Sequence, residues 1–276
     1  MRKERRSAKM GVDVADVAKV CQGLTVQAVS FVQGRGRVFY ASLPCSGENL
    51  KGQETNRPGE KHRLASALWD HLAVMESPLW KRFQSSNGAA FPIRVVCGRL
   101  GRPHLLLGEC RGPAISFSEG GGKIWAALCG DESDIGIDAA GSDEFPSEYP
   151  FHRVFHPQEL QQALRVAGGD LEKASALLWS VKEAVAKALG CGFHLVDPRQ
   201  ITVYPLVGED GGYTFPVGLS GKALARVPVA ACRSLWALSL PQGKMWVSIA
   251  LLNWQSPGTD GRDFSSRALG WQNVDL

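Results

Sequence analysis

The chain has 276 residues, of which 44% are hydrophobic and 21% are charged, and its formal net charge is +4. This composition predicts a normal buried core, in one large domain or two modest ones. No apolar run approaches the roughly 18 residues of a membrane helix, so a membrane-spanning protein is not indicated.

The cysteines and the charged residues narrow the class of protein further. The seven cysteines are scattered and never form a C-x-x-C pair, which argues against both a disulfide framework and a zinc cluster. We therefore expect a reducing, cytoplasmic setting. The net positive charge fits an anionic ligand or an acidic protein partner. The basic residues in 1–10 are interpreted as a solvated tail rather than a nucleic-acid-binding arm.

The first half of the chain predicts several strands and one helix. Residues 24–43 read as two strands joined by a glycine turn at 34–36, and a loop rich in proline, glycine and serine follows at 44–60. Leucines at helical spacing predict a helix over 61–75. Further strands are predicted at 93–97, 114–117 and 124–129.

The second half predicts a short strand, two helices and then more strands. The strand is 135–138, and the helices are 157–166, with proline at its first position, and 171–189, which stops at Gly190. Strands are predicted near 200–204, 213–217, 234–240 and 244–251. The pattern predicts an α+β protein of two similar lobes, 1–130 and 131–254, with a tail at 255–276.

Two short motifs bear the chemistry. Asp138 ends the apolar run Ile135–Asp138, and Glu183 and Lys187 lie one turn apart on the predicted helix 171–189. Taken alone, Asp138 could cap a turn, and Glu183 and Lys187 could form a surface pair. However, the helix neighbours are tryptophan, alanine and valine, which are unusual on a solvated face. The two acids and the lysine together indicate a metal-assisted phosphate site.

These motifs resemble the signature of the 4′-phosphopantetheinyl transferases. The stretch from Trp179 to Gly190 matches the pattern Trp-x-x-Lys-Glu-Ala-x-x-Lys-x-x-Gly, and Ile135–Asp138 matches Ile-Gly-Ile-Asp. Such enzymes move phosphopantetheine from coenzyme A to a serine of a carrier protein. The length resembles the two-lobed, monomeric type with a pseudo-two-fold axis, rather than the short trimeric type.

The resemblance implies a role for each residue of the motifs. Asp138 and Glu183 would hold Mg²⁺, and Glu183 would also take the proton from the carrier serine. Lys187 would neutralise phosphate oxygens as a catalytic and coenzyme A-binding group, and Lys182 would touch the pyrophosphate. The further coenzyme A-binding residues implied in the first lobe are Arg63, Arg102 and Ser116.

Two departures from the family pattern leave a second hypothesis open. Phe117 replaces the histidine of the usual Ser-His-Ser run, and Ala140 replaces a third acidic ligand. The chain could therefore bind coenzyme A or a carrier protein without turnover. A nucleic-acid binder, based on the N-terminal charge alone, is a third and less favoured reading.

Overall fold

A computed structural model describes ten stretches of the chain. Statements about the fold and the site concern these residues, and the predicted basic tail, the glycine turn at 34–36 and the tail at 255–276 lie outside them. The described stretches are 19–21, 24–31, 37–45, 57–75, 92–98, 100–130, 133–146, 148–206, 212–227 and 232–254.

Among the described residues, the first lobe is an antiparallel sheet covered by one helix. Its strands are β1 (Lys19–Cys21), β2 (Leu24–Ser30), β3 (Arg37–Pro44), β7 (Ile115–Gly120) and β8 (Lys123–Cys129). They lie in the order β1-β2-β3-β8-β7. Helix α1 (Arg57–Val74) packs on β3 and β8 through buried leucines. A small sheet of β4 (Ile93–Cys97), β5 (Pro103–Leu107) and β6 (Cys110–Arg111) accompanies it.

The second lobe is also a five-stranded antiparallel sheet with a helix packed on one face. Its strands are β9 (Asp134–Gly141), β10 (Ile201–Val203), β11 (Tyr213–Leu219), β12 (Cys232–Gln242) and β13 (Met245–Trp254), in the order β10-β11-β12-β13-β9. The helices are α2 (Phe151–Val154), α3 (Pro157–Val166), α4 (Leu171–Ala188) and α5 (Gly221–Ala225). Helix α4 packs across β9 and β13. Three 3-10 turns complete the lobe: Ser142–Glu144, Gly192–His194 and Pro198–Gln200.

The two sheets meet along the edge strands β7 and β9. Within the described part of the chain, β9 pairs only with β13, so the N–H groups on its outer side need other acceptors. Ile137 N–H donates to Ser116 Oγ over 3.1 Å, and Ala139 N–H donates to Ser118 Oγ over 3.3 Å. Two serine hydroxyls therefore replace a backbone ladder. Apolar side chains of both sheets fill one shared core beside this junction.

The observed elements confirm the predicted α+β class. Helix α3 has the predicted bounds, and α4 ends one residue before the predicted end. Helix α1 begins at Arg57 rather than 61. Strands β1, β5 and β6 and helices α2 and α5 were not predicted, since each has five residues or fewer and too little periodicity to stand out.

Candidate active site

A glycine in β9 sets the distance between the strand and helix α4. A Cβ atom on Gly136 would lie 1.9 Å from the carbonyl oxygen of Ala184 and 2.7 Å from the nitrogen of Ala188. Both contacts are with helix backbone, so neither can be relieved by turning a side chain. Only glycine allows this approach, and the approach brings the helix against the same face of β9 that carries Asp138.

Asp138 and Lys187 meet at this contact. The ammonium of Lys187 lies 2.7 Å from Asp138 Oδ1, and it also donates to Ser118 Oγ and to the Ile137 carbonyl oxygen, each over 3.2 Å. Asp138 is buried, whereas the Lys187 side chain is 28% exposed. The buried carboxylate of Asp138 is therefore paired with a cation that solvent can reach.

Glu183 lies one helical turn before Lys187 and is half-buried. Burial raises the pKa of the Glu183 carboxyl, the charge of Asp138 raises it further, and Lys187 opposes the shift. The negative charge of Asp138 therefore repels that of Glu183. A cation between them would relieve this repulsion.

A third acid, Glu144, belongs to the same electrostatic group. It ends the 3-10 turn that follows β9, and its Oε1 accepts from Gly141 N–H over 2.7 Å. Partial burial raises the pKa of Glu144, the Gly141 bond opposes the shift, and Asp138 raises it. Glu144 also raises the pKa of Glu183. The sequence signal for Glu144 was weak, because it lies in a stretch that reads as loop.

The donor set fits Mg²⁺ in chemistry but does not form a complete cage. Carboxylate oxygens are the ligands this ion prefers, and Mg²⁺ commonly binds through one or two carboxylates, with waters and substrate phosphates. Among the residues that the structure describes, no three histidine, cysteine or acidic side chains are arranged to hold a metal. Asp138 and Glu183 could thus supply only part of a coordination shell. Ala140, which replaces the third acidic ligand of the family pattern, is buried.

The structure corrects the role predicted for Lys182. This side chain is completely buried, and its ammonium lies 2.6 Å from Glu159 Oε1. It also donates to the carbonyl oxygens of Pro198 and Ile201, over 2.9 and 2.7 Å. Burial lowers the pKa of Lys182, and Glu159 opposes that shift. All three ammonium protons are used inside the lobe, so none is left for a pyrophosphate.

Glu159 is the structural partner that the sequence did not single out. Its Oε1 also accepts from the His156 N–H at the start of α3, and its Oε2 accepts from the Val203 N–H in β10. The sequence placed Glu159 in the first turn of a helix, where acids are common. That location explains neither its burial nor its contact with Lys182.

Arg102 joins the first lobe to the far end of β9. Its guanidinium pairs with Asp134, at the start of the strand, and packs across Gly190 just after α4. Asp134 lies four residues from Asp138, which is about 13 Å along a strand. Arg102 therefore lies beside the lobe junction but away from the acid pair. It remains a predicted coenzyme A-binding residue.

The other predicted first-lobe residues lie in contrasting surroundings. Arg63 is exposed on α1, and no hydrogen bond among the described residues links it to Asp138. Ser116 is buried and accepts the Ile137 N–H. Phe117 points to the opposite side of β7 and packs against the core under α1. Coenzyme A contacts of Arg63 and Ser116 stay predictions.

The remaining motif residues are explained by packing and helix termination. Trp179 packs between Phe145 and Phe193, with ring centroids 6.2 and 5.0 Å apart. Gly190 has φ +76°, and the Cys191 N–H donates to the Ala186 carbonyl oxygen over 3.2 Å. This is a Schellman ending, in which glycine supplies the left-handed residue. These residues fix where the helix lies and where it stops.

The chain matches a known family over its second lobe. Residues 134–214 match the family model described as the 4′-phosphopantetheinyl transferase superfamily, and this range contains Asp138, Glu183 and Lys187. The resemblance to this superfamily is confirmed. The chain is also 30% identical over 157 residues to a Synechocystis protein named “Putative 4′-phosphopantetheinyl transferase”. That alignment covers 55% of this chain and 59% of the Synechocystis protein.

Two solved structures are among those similar to parts of the chain. One is the Chronobacterium ammoniagenes ACPS–CoA complex, with 20% identity and a TM-score of 0.36, covering 46% of this chain and 100% of that one. The other is the Helicobacter pylori holo-[acyl-carrier-protein] synthase in complex with coenzyme A, with 18% identity and a TM-score of 0.34, covering 43% and 99%. Among the described helices of this chain, none has the length and apolarity to cross a membrane.

Proposed function

We propose that the chain transfers the 4′-phosphopantetheine group of coenzyme A to a serine of an acyl or peptidyl carrier protein, with Mg²⁺ as cofactor. One observation carries the proposal. Asp138, an acid at a strand edge, pairs with Lys187 of the helix packed across it, with Lys187 Nζ 2.7 Å from Asp138 Oδ1, and Glu183 lies one turn earlier on the same helix. Two mutually repelling carboxylates beside an accessible ammonium suit a metal-bound pyrophosphate.

Asp138 and Glu183 would hold the ion through hard oxygen ligands. When bound, Mg²⁺ supplies charge stabilisation for the pyrophosphate of coenzyme A. Lys187 would hold Asp138 in place and attract phosphate oxygens from its exposed side. Positioning and charge stabilisation would account for most of the rate enhancement, as in other phosphoryl transfers.

Glu183 would act as the general base. Burial and the charge of Asp138 raise the pKa of its carboxyl, which makes the ionised form a stronger base. Glu183 would accept the proton of the carrier serine while the serine oxygen bonds to the phosphorus that bears pantetheine. The pyrophosphate P–O bond breaks in the same step, and 3′,5′-ADP leaves.

The expected partner is an acidic carrier domain, because the chain carries a net charge of +4 and opposite charges favour encounter. A monomer acting in the cytoplasm would suit this role. Nucleic acid and membrane are not expected partners.

The test is transfer itself. The purified chain, coenzyme A, Mg²⁺ and a set of apo carrier proteins are incubated, and each carrier is weighed by mass spectrometry. We expect one carrier to gain one phosphopantetheine group, and the gain to vanish when Mg²⁺ is chelated. Failure to modify any carrier would count against the proposal.

Glu183→Gln sharpens this experiment. A general base typically contributes about 10²–10⁴-fold to the rate. The rate of transfer by the variant should therefore fall at least about 100-fold. Glu172→Gln is the matched control, because Glu172 is an exposed glutamate on the same helix. Equal loss in both variants, or full activity in the first, would remove Glu183 from the chemistry.

A second candidate function is binding without turnover. Phe117 favours it, because its side chain packs against the first-lobe core where the family pattern has a histidine. Calorimetry with coenzyme A separates the candidates. Tight binding of coenzyme A without transfer to any carrier would support the function of binding without turnover. Mg²⁺-dependent transfer would eliminate that function.

A further inference from the structure

Ser118 is the one first-lobe side chain that touches both Asp138 and Lys187 among the described residues. Its hydroxyl lies 2.8 Å from Asp138 Oδ1 and 3.2 Å from Lys187 Nζ, and it accepts the Ala139 N–H over 3.3 Å. It is buried, with 7% of its surface exposed. Ser118 thus joins the first lobe to the proposed metal ligand.

The chemistry of these neighbours fixes the direction of the Ser118 hydrogen bond. A hydroxyl donates one proton and accepts up to two. The Lys187 ammonium and the Ala139 N–H are donors only, so they fill both acceptor positions of Ser118. Its proton must therefore point to Asp138 Oδ1, which accepts it.

We propose that Ser118 is a positioning residue, which orients Asp138 for the metal ion. Among the described residues, both bonds to this carboxylate, from Ser118 and Lys187, fall on Oδ1. With Oδ1 held by two donors, Oδ2 is the oxygen presented to a cation. This inference rests on the proposed function, because it assigns Ser118 to the Mg²⁺ site of that reaction.

Ser116 provides a matched control on the same strand. Both serines lie on the same face of β7, both are buried, and each accepts one N–H of the β9 edge. Only Ser118 also bonds to Asp138. Removing either hydroxyl costs one edge hydrogen bond, so the difference between the two variants isolates the contacts of Ser118 with Asp138 and Lys187.

The experiment measures how coenzyme A binding depends on Mg²⁺. Calorimetry of coenzyme A with the full chain is repeated over a series of Mg²⁺ concentrations for the wild type, Ser118→Ala and Ser116→Ala. Since partners that orient metal ligands contribute about 10–100-fold to metal affinity, we expect Ser118→Ala to need about 10-fold more Mg²⁺ for half-maximal binding. Ser116→Ala removes a residue of the predicted coenzyme A site, so its coenzyme A affinity is compared only with itself across the Mg²⁺ series, and it should keep the wild-type Mg²⁺ concentration for half-maximal binding. Ser118→Thr keeps a hydroxyl and should rescue most of the loss.

Several outcomes would overturn the inference. If coenzyme A binding depends on Mg²⁺ in the same way in Ser118→Ala and Ser116→Ala, the Ser118 hydroxyl only stabilises the lobe junction. Failure of Ser118→Thr to recover would lead to the same conclusion. If thermal unfolding shows that Ser118→Ala does not fold, Ser118→Cys takes its place, because a thiol of similar shape donates only weakly. If the wild type itself shows no Mg²⁺-dependent binding, the proposed function fails and not the role of Ser118 alone.

Discussion

Two lysines on helix α4 end in opposite surroundings. Lys182 is completely buried against Glu159, whereas Lys187 is 28% exposed beside Asp138. They are five residues apart, which is roughly 140° around the helix, so they cannot face the same cleft. Both belong to the same sequence motif. The comparison teaches that a motif lysine acquires its role from the partner that its helical phase selects.

Replacing the buried lysine, Lys182, gives the largest expected effect. Lys182→Met leaves Glu159 as a buried charge without its cation, while the methionine fills most of the volume. Breaking such a pair typically costs about 3–5 kcal/mol. We expect the free energy of unfolding, measured by urea denaturation, to fall by that amount.

Lys173→Met is the control for Lys182. The Lys173 side chain on the same helix is 44% exposed, and its Nζ lies 3.1 Å from Asp170 Oδ2. A solvent-accessible pair of this kind is worth about 1 kcal/mol or less. Should Lys182→Met prove as stable as Lys173→Met yet bind coenzyme A weakly, the phosphate-binding role that the sequence predicted would return, and the contrast between the two lysines would fail.

The contact between Lys187 and Asp138 depends on how closely β9 approaches the helix. In Gly136→Ala the new methyl group would overlap the Ala184 carbonyl oxygen at 1.9 Å, so strand and helix must separate. Overpacking of this kind costs about 3 kcal/mol or more, and it would also pull Glu183 and Lys187 away from Asp138. We expect lower unfolding free energy together with loss of carrier modification.

Gly218→Ala offers the matched strand glycine. Its added Cβ would meet the Tyr204 ring, with the hydroxyl oxygen at 2.6 Å, but Tyr204 is 48% exposed and can swing away. Equal destabilisation of both variants would mean that strand glycines matter only for backbone conformation, and that the close contact at Gly136 does not position the acids.

Part of this arrangement could be predicted from the sequence. Helical spacing and the flanking Pro157 and Gly190 located α3 and α4 almost to the residue. The acids at 138 and 183 were singled out from the two motifs, and the family resemblance supplied their roles. The close approach of the strand and the helix that carry them depends on Gly136. Its motif position was noted but its neighbour could not be known, because a long-range backbone contact leaves no local periodicity.

The errors at the site have identifiable physical reasons. The role predicted for Lys182 was wrong although its helical phase, read against Lys187, already placed it on another face. Ser118 was overlooked in favour of Ser116, even though the period of a strand puts both on one side. Glu144 could not be found, since a 3-10 turn of three residues carries no pattern that fixes where its last side chain lies.

The smallest expected effect is a change in the pKa of Glu183. Glu144 raises the pKa of Glu183, so Glu144→Gln should lower it. If the general base must be ionised, the acidic limb of the pH profile of kcat/KM reports that pKa in the free enzyme. At one fixed Mg²⁺ concentration, the limb should therefore move to lower pH in Glu144→Gln. Asp143→Asn removes an adjacent exposed charge that acts on Glu144, and should move the limb less. A limb that shifts upward in Glu144→Gln, or equally in both variants, would mean that Glu183 is not the group being titrated.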